Sequence, residues 1–148
     1  MQEPIRNVLA LKGKEVAKIA QAETVLAAVE QMNQRRIGAV IVVAEPQSRA
    51  RPVGIFSERD VLTRVIARGL TPAKTVVGEV MTREVCTISC DTTVMDAMMV
   101  MTDRRCRHLP VMDGDQLMGV VSIGDLMSWV VRDQERTIAE LHDYMHRA

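Results

Sequence analysis

The chain has 148 residues, 47% of them apolar, and its 19 Lys plus Arg balance 19 Asp plus Glu. Balanced charge provides no field to gather nucleic acid or an anionic membrane. The longest apolar run, AVIVVA at 39–44, is too short to cross a bilayer, and the first residues lack the apolar stretch and cleavage site of a secretory leader.

Three cysteines, Cys86, Cys90 and Cys106, form no CxxC pair and leave one over from any disulfide. Reduced thiols, no zinc site and a soluble cytoplasmic protein are the expectation. A chain of this length holds one ordinary domain, or two small ones sharing a core. Phe56, Trp129 and Tyr144 are the only aromatic residues, so that core must be built from Val, Ile, Leu, Ala and eleven Met.

In chain order, RNVLALKG predicts a short helix stopped at Gly13, within a segment 1–13. A first unit, 14–69, opens on the extended piece EVAKIA and a polar turn closing on Thr24. An amphipathic helix follows, with Val25, Ala28, Val29 and Met32 on one face. The strands AVIVVA and PVGIFS come next, joined by a loop at 44–53, and then a helix ERDVLTRVIARG with Gly69 as its C-cap. Residues 70–78 link this unit to a second one, 79–132. There EVCTIS leads to Thr93, and a helix carries Val94, Ala97, Met98 and Met101 on one face. LPVM and LMGVVS flank a DGD turn, and a last helix starts at IGDLMSWVV. That helix runs on through 133–148. There Val131, Gln134, Ile138, Leu141 and Met145 keep a 3-4-3-4 spacing, a seam for another helix that points to a homodimer.

The two units are copies. An offset of 69 aligns Thr24-Val25 with Thr93-Val94, Ala28 with Ala97, Met32 with Met101, and Arg35-Arg36 with Arg104-Arg105. Beyond residue 43 the offset falls to 65, aligning Gly54, Ser57 and Asp60 with Gly119, Ser122 and Asp125. The difference of four lies in the 44–53 loop, which reads as an insertion that a hairpin tolerates cheaply. The matching phrases GIFSERD and GVVSIGD each place Ser three residues before Asp. This spacing is that of a helix capping box, although Asp replaces the favoured Glu or Gln.

A duplicated β-α-β-β-α unit closing on Gly-apolar-apolar-Ser-x-x-Asp resembles the cystathionine-beta-synthase (CBS) domain. Two in tandem resemble the CBS pair, or Bateman module. The likeness rests on RRIGAVIVV with GIFSERDVL, and on VGEVMTREVCTIS and RRCRHLPVMD with GVVSIGDLM, and it runs from about Lys14 to Arg132. The resemblance implies an α+β pair of domains related by a pseudo-twofold axis, with two clefts that in the family hold AMP, ADP, ATP, NAD(H) or S-adenosylmethionine. It also implies that Asp60 with Ser57, and Asp125 with Ser122, take ribose hydroxyls or phosphate. A carboxylate accepts both hydroxyls of a cis-diol, and a helix N-terminus attracts phosphate.

The copies differ where ligands would sit. The second copy has Arg107, His108 and Pro110 where the first has Gly38, Ala39 and Ile41, and Arg59 stands where the second has Gly124. The expected mononucleotide site therefore comprises Thr87, Ile88, Arg107, His108, Ser122 and Asp125, with Pro110 beside them and Arg59 reaching the phosphate from the other copy. A second site groups Lys18, Ala20, Gly38, Ser57 and Asp60, so that AMP in one cleft and NAD(H) in the other is an option.

Other features carry less. His142 and His146, four apart, have metal-pair spacing but read as an exposed helix face. His108 lacks a nucleophile or orienting partner nearby in sequence, and the methionines at 95, 98, 99 and 101 read as core filler. Arg104, Arg105 and Arg107, with Arg35 and Arg36, read as solvated helix ends or a phosphate funnel, and Cys106 as a buried, inert thiol. The sequence thus points to a non-catalytic nucleotide sensor acting on an unknown effector protein. The alternative is a structural dimerisation module with vestigial clefts.

Overall fold

The computed structural model describes residues 1–13 and 15–147; Lys14, the expected start of the first copy, and Ala148 lie outside the described residues. Helix α1 (Ile5–Lys12) precedes a first unit of β1 (Lys18–Ala20), α2 (Val25–Arg35), β2 (Ala39–Val43), β3 (Gly54–Ser57) and the short helix α3 (Glu58–Asp60). A π-helical segment, Val61–Ile66, continues α3. Helix α4 (Val77–Val80) precedes a second unit of β4 (Ile88–Ser89), α5 (Val94–Arg104), β5 (His108–Asp113), β6 (Gln116–Ser122) and α6 (Ile123–Met145). The fold is α+β, with the expected β-α-β-β-α order in each copy.

The pseudo-symmetry extends to single hydrogen bonds. Thr24 and Thr93 cap α2 and α5, each hydroxyl accepting a backbone N–H at 3.1 Å, from Ala27 and Asp96. Both helices end on a left-handed arginine, Arg36 at φ 55° and Arg105 at φ 53°. Each copy forms a three-stranded sheet in which the first strand runs parallel to the second and the third antiparallel to it.

Strand β2 is apolar at every position because both of its faces are covered. Val40 and Val42 join Val25, Ala28, Met32 and Phe56 in the first core, whereas Ile41 and Val43 point the other way. There they meet Met112 and Leu117 of the second copy, flanked by Val16, Ile55 and Val120, and this cluster joins the two sheets. A bulge sets Leu117 on that face. Val111 pairs with Gly119 but Met112 pairs with Leu117, so Met118 is skipped and the side-chain alternation of β6 reverses.

The segments before each copy cross over. Ile5 and Val8 of α1 are buried in the second core with Val94, Ala97, Leu109 and Leu126, and Ile5 N–H donates to Thr92 O at 2.8 Å. Val77 and Val80 of α4 are buried in the first core, and Val77 N–H donates to Glu23 O at 2.8 Å.

Two expectations are corrected. The helix expected over 58–69 does not remain α-helical to Gly69. It opens into the π-helical segment, with i→i−5 bonds such as Ala67 N–H to Leu62 O at 2.9 Å; Gly69, at φ 69°, still closes it as the expected C-cap glycine, its N–H donating to Ile66 O and Leu70 N–H to Val65 O, both at 3.0 Å. The widened stretch is rich in β-branched residues, and the Thr63 hydroxyl bonds back to Arg59 O at 2.8 Å. The 44–53 loop is also more than a tolerated insertion. Arg49 O accepts Leu117 N–H from the second copy at 2.8 Å, and Ser48 O accepts from Lys18 Nζ at 3.0 Å, so the loop clamps the sheet interface.

The crossing segments leave no room over two strand glycines. A Cβ on Gly54 would lie 2.4 Å from Met81 Sδ and 3.0 Å from the Thr82 carbonyl; one on Gly119 would lie 2.8 Å from the Leu9 Cδ2 methyl. Gly54→Ala is expected to destabilise by about 1–3 kcal/mol in urea unfolding, and Gly119→Ala by less, because only a flexible methyl must yield there.

Candidate functional site

Each Ser-x-x-Asp phrase forms a capping box at a strand-to-helix junction. Ser57 and Ser122 accept the N–H groups of Asp60 and Asp125, whose carboxylates accept the serine N–H groups in return. The two carboxylates otherwise differ. Asp60 is 7% exposed and fully engaged: Oδ2 accepts Ser57 N–H at 3.0 Å, Oδ1 accepts the Thr82 hydroxyl at 3.1 Å, and Arg64 Nε lies 3.5 Å from Oδ1. A buried carboxylate needs such partners.

Asp125 is half-buried. Its Oδ2 accepts Ser122 N–H at 2.8 Å and Lys12 Nζ at 2.7 Å; among the described residues no protein donor reaches Oδ1. The same ammonium donates to Val120 O at 2.7 Å. Burial alone would raise the Asp125 carboxyl, but the Lys12 ammonium and the Ser122 N–H outweigh it and hold the pKa below its ordinary value.

His108 pairs with Ser122 across β5 and β6, and Ile123 N–H donates to Arg107 O at 2.9 Å, so both residues are tied to the junction that carries Asp125. A Cβ on Gly38 would lie 3.5 Å from His108 Cε1 and 3.8 Å from Glu58 Cδ, which sets this part of the first copy against the second. Next to it a cleft of about 340 Å³ is lined by Arg59 from the first copy and by Met101, Thr102, Arg105, Cys106, Arg107 and Ile123 from the second. Its volume lies in the range of small-molecule pockets, and three guanidiniums line it.

Of the residues singled out in the sequence, Arg59 and Arg107 line this cleft; His108, Ser122 and Asp125 belong to the adjoining strand-to-helix junction, tied to it through Ile123 N–H on Arg107 O. Gly38, grouped in the sequence with Asp60, faces His108. Ile88 and Pro110 are buried in the sheet, Ile88 within the second core, so their side chains are committed to packing; Thr87 is half-buried just before β4. Lys18 and Ala20 lie on β1, with the Lys18 ammonium held by Ser48 O. Ser57 and Asp60 are closed in by Thr82 and Arg64. A second hollow, about 310 Å³, lies beside them and is lined by Arg64, Glu79, Met81, Thr82, Arg83 and Glu84.

The sequence reading missed Lys12. It lies outside both copies, and at the offset of 69 its counterpart is Met81, so repeat alignment carries no signal for it. Elsewhere, Cys106, expected to be buried, is half-buried; burial and then the neighbouring Cys86 push its thiol up. The His142 and His146 rings stack with centroids 4.2 Å apart on the exposed end of α6.

Burial pushes the His108 imidazole below its ordinary value. Lys12 and Arg107 add to the effect, while Asp125 and Glu58 oppose it. The fold therefore favours neutral His108. This contribution to stability is present above the unfolded pKa of about 6.5 and is lost as pH falls through the lower folded value. Wild type is expected to lose thermal stability as pH falls below about 6.5, and His108→Gln to flatten that slope; equal slopes would contradict this assignment.

The CBS domain family matches residues 10–67 and again 77–132. A structure described as a putative signal-transduction protein with CBS domains from Burkholderia ambifaria is 32% identical, with a TM-score of 0.83, over 89% of this chain and 96% of that one. The hexameric CBS-CP12 protein from bloom-forming cyanobacteria is 26% identical, with a TM-score of 0.73, over 86% of this chain and 71% of that one. The CBS domain-containing protein CBSX3, mitochondrial, of Arabidopsis thaliana is 38% identical over 83% of this chain, which spans 60% of that relative. With two family matches on two copies of one fold, the chain belongs to the CBS domain family as a tandem pair.

Proposed function

We propose that the protein is a non-catalytic regulatory module. It binds an adenosine nucleotide, AMP, ADP, ATP or NAD(H), between its two CBS domains and passes occupancy to a separate partner by changing the angle between copies or protomers. One observation carries the reading: Asp125, a half-buried carboxylate with one oxygen unengaged among the described residues, starts the same helix whose first residue, Ile123, lines a cleft with Arg59, Arg105 and Arg107. The carboxylate accepts ribose hydroxyls, and the three guanidiniums with the N-terminus of α6 take phosphate. Ser122 and His108, paired across β5 and β6, belong to the same junction, and this reading assigns Thr87, Ile88 and Pro110 to the edge of the ligand site. The regulatory part of the reading draws on the Burkholderia neighbour described as a putative signal-transduction protein.

The cleft of Lys18, Ala20, Ser57 and Asp60 is the weaker site in this reading, since a ligand there must displace Thr82 or Arg64 from Asp60. A thermal-shift and calorimetry panel of AMP, ADP, ATP, NAD(H) and S-adenosylmethionine tests the proposal. A ligand at 100 times its Kd should stabilise by about 2.7 kcal/mol. Asp125→Ala should weaken the best binder roughly tenfold or more, in line with lost hydrogen bonds to a charged acceptor. Asp60→Ala should mainly destabilise the fold. No shift with any adenosine compound would refute nucleotide binding.

Self-association is the second part of the proposal. Along α6, Val131, Ile138, Leu141 and Met145 are exposed at 49%, 66%, 57% and 76%, and no described segment of the chain covers them. The CBS-CP12 neighbour is itself hexameric. An apolar stripe of this kind on an extended helix suits a second copy of the same helix. The double substitution Ile138→Asp with Leu141→Asp is expected to shift the sedimentation mass from oligomer to monomer while leaving far-UV circular dichroism unchanged. A monomeric wild type would refute the assignment.

A further inference from the structure

We infer that Lys12 is a latch on the ribose end of the cleft: it holds the Asp125 carboxylate in the free protein, and the cis-diol of a nucleotide must displace it to bind. This inference rests on the nucleotide-binding reading above and adds a regulatory contact to it.

Each carboxylate oxygen offers about two acceptor positions. On Asp125 both positions of Oδ2 are taken, one by Ser122 N–H at 2.8 Å and one by Lys12 Nζ at 2.7 Å. The Ser122 bond belongs to the capping box that starts α6 and persists while the helix does. A diol that places one hydroxyl on each oxygen can use Oδ1 directly, but it reaches Oδ2 only where Lys12 now sits. Lys12 is therefore the one partner that can leave.

The surroundings confine the motion to that side chain. Helix α1 is pinned by Ile5, which is fully buried, by Val8 at 4% exposure, and by Leu9 packed on Gly119. The Lys12 side chain stands in the last turn at 35% exposure, and Gly13 ends the helix directly after it at φ 98°. The ammonium can thus swing on its flexible stem without undocking the helix. The first copy has no such device, because the counterpart of Lys12 is Met81 and Asp60 is held by Thr82 and Arg64 instead. The latch thus acts on the Asp125 junction alone, the one whose helix also lends Ile123 to the cleft with the three arginines.

Calorimetry of wild type, Lys12→Met and Lys12→Gln with AMP and with its 2′,3′-dideoxy analogue tests the latch. Both variants are expected to bind AMP about three- to tenfold more tightly than wild type, the scale of one partly exposed ion pair. The dideoxy analogue, which cannot engage the carboxylate, is expected to bind all three proteins alike. Unchanged or weaker AMP binding in the variants, or an equal gain for the dideoxy analogue, would overturn the latch. A second readout is acylation of Lys12 by an amine reagent, followed by mass spectrometry. AMP should raise it by freeing the ammonium; a decrease would mean that Lys12 grips the nucleotide and would also overturn the proposal. If none of the three proteins binds AMP or its analogue, the nucleotide reading itself fails and the latch fails with it.

Discussion

A three-stranded sheet has two faces, and one short helical layer covers only one of them. Each copy here faces that problem, and the cluster of Ile41, Val43, Met112 and Leu117 solves it by packing the second face of each sheet against the other copy. Water excluded from this seam is the main gain of pairing. The other features of the pair follow from it: the crossed docking of α1 and α4, the bulge at Met118 that sets Leu117 inward, and the clamp from Arg49 to Leu117. Two strand-to-helix junctions are thereby brought close enough for one copy's side chains to reach the other's cleft.

Duplication would by itself make two equal clefts. Pairing preserves the frame, with matching threonine caps, left-handed arginines and capping boxes, while substitutions outside the frame divide the roles. In the first copy Asp60 is satisfied by Arg64 and by Thr82 from the segment after α4, and it becomes part of the structure. In the second, the carboxylate is met by Lys12 from α1, and Arg59 crosses over to join Arg105 and Arg107. Division of this kind fits a module in which one cleft senses and the other holds the frame rigid.

Most of the fold was legible because its signals are local. Thr24 and Thr93 mark helix starts, the run AVIVV betrays a strand buried on both faces, and the offsets of 69 and 65 expose the repeat. Arg59, expected from the family resemblance to reach across the pair, lines a cleft with Arg107 of the second copy. Lys12 was not legible. Its contact with Asp125 spans 113 positions and depends on α1 docking across the pair, which no periodicity reports. Ile88 and Pro110 show the opposite limit, since their side chains serve the sheet. The π-helical widening after Asp60 was hidden too, because Val61–Ile66 has an ordinary helical pattern.

The central claim is that the cleft at Asp125, and not the one at Asp60, takes the nucleotide, ribose to carboxylate and phosphate to arginines. A crystal structure of the protein grown with AMP tests it most directly. The expected density places the ribose hydroxyls on Asp125 with Lys12 turned away, and the phosphate among Arg59, Arg105 and Arg107. AMP bound at Asp60, or a saturated crystal with Lys12 still on Asp125 and the arginine cleft empty, would contradict the account.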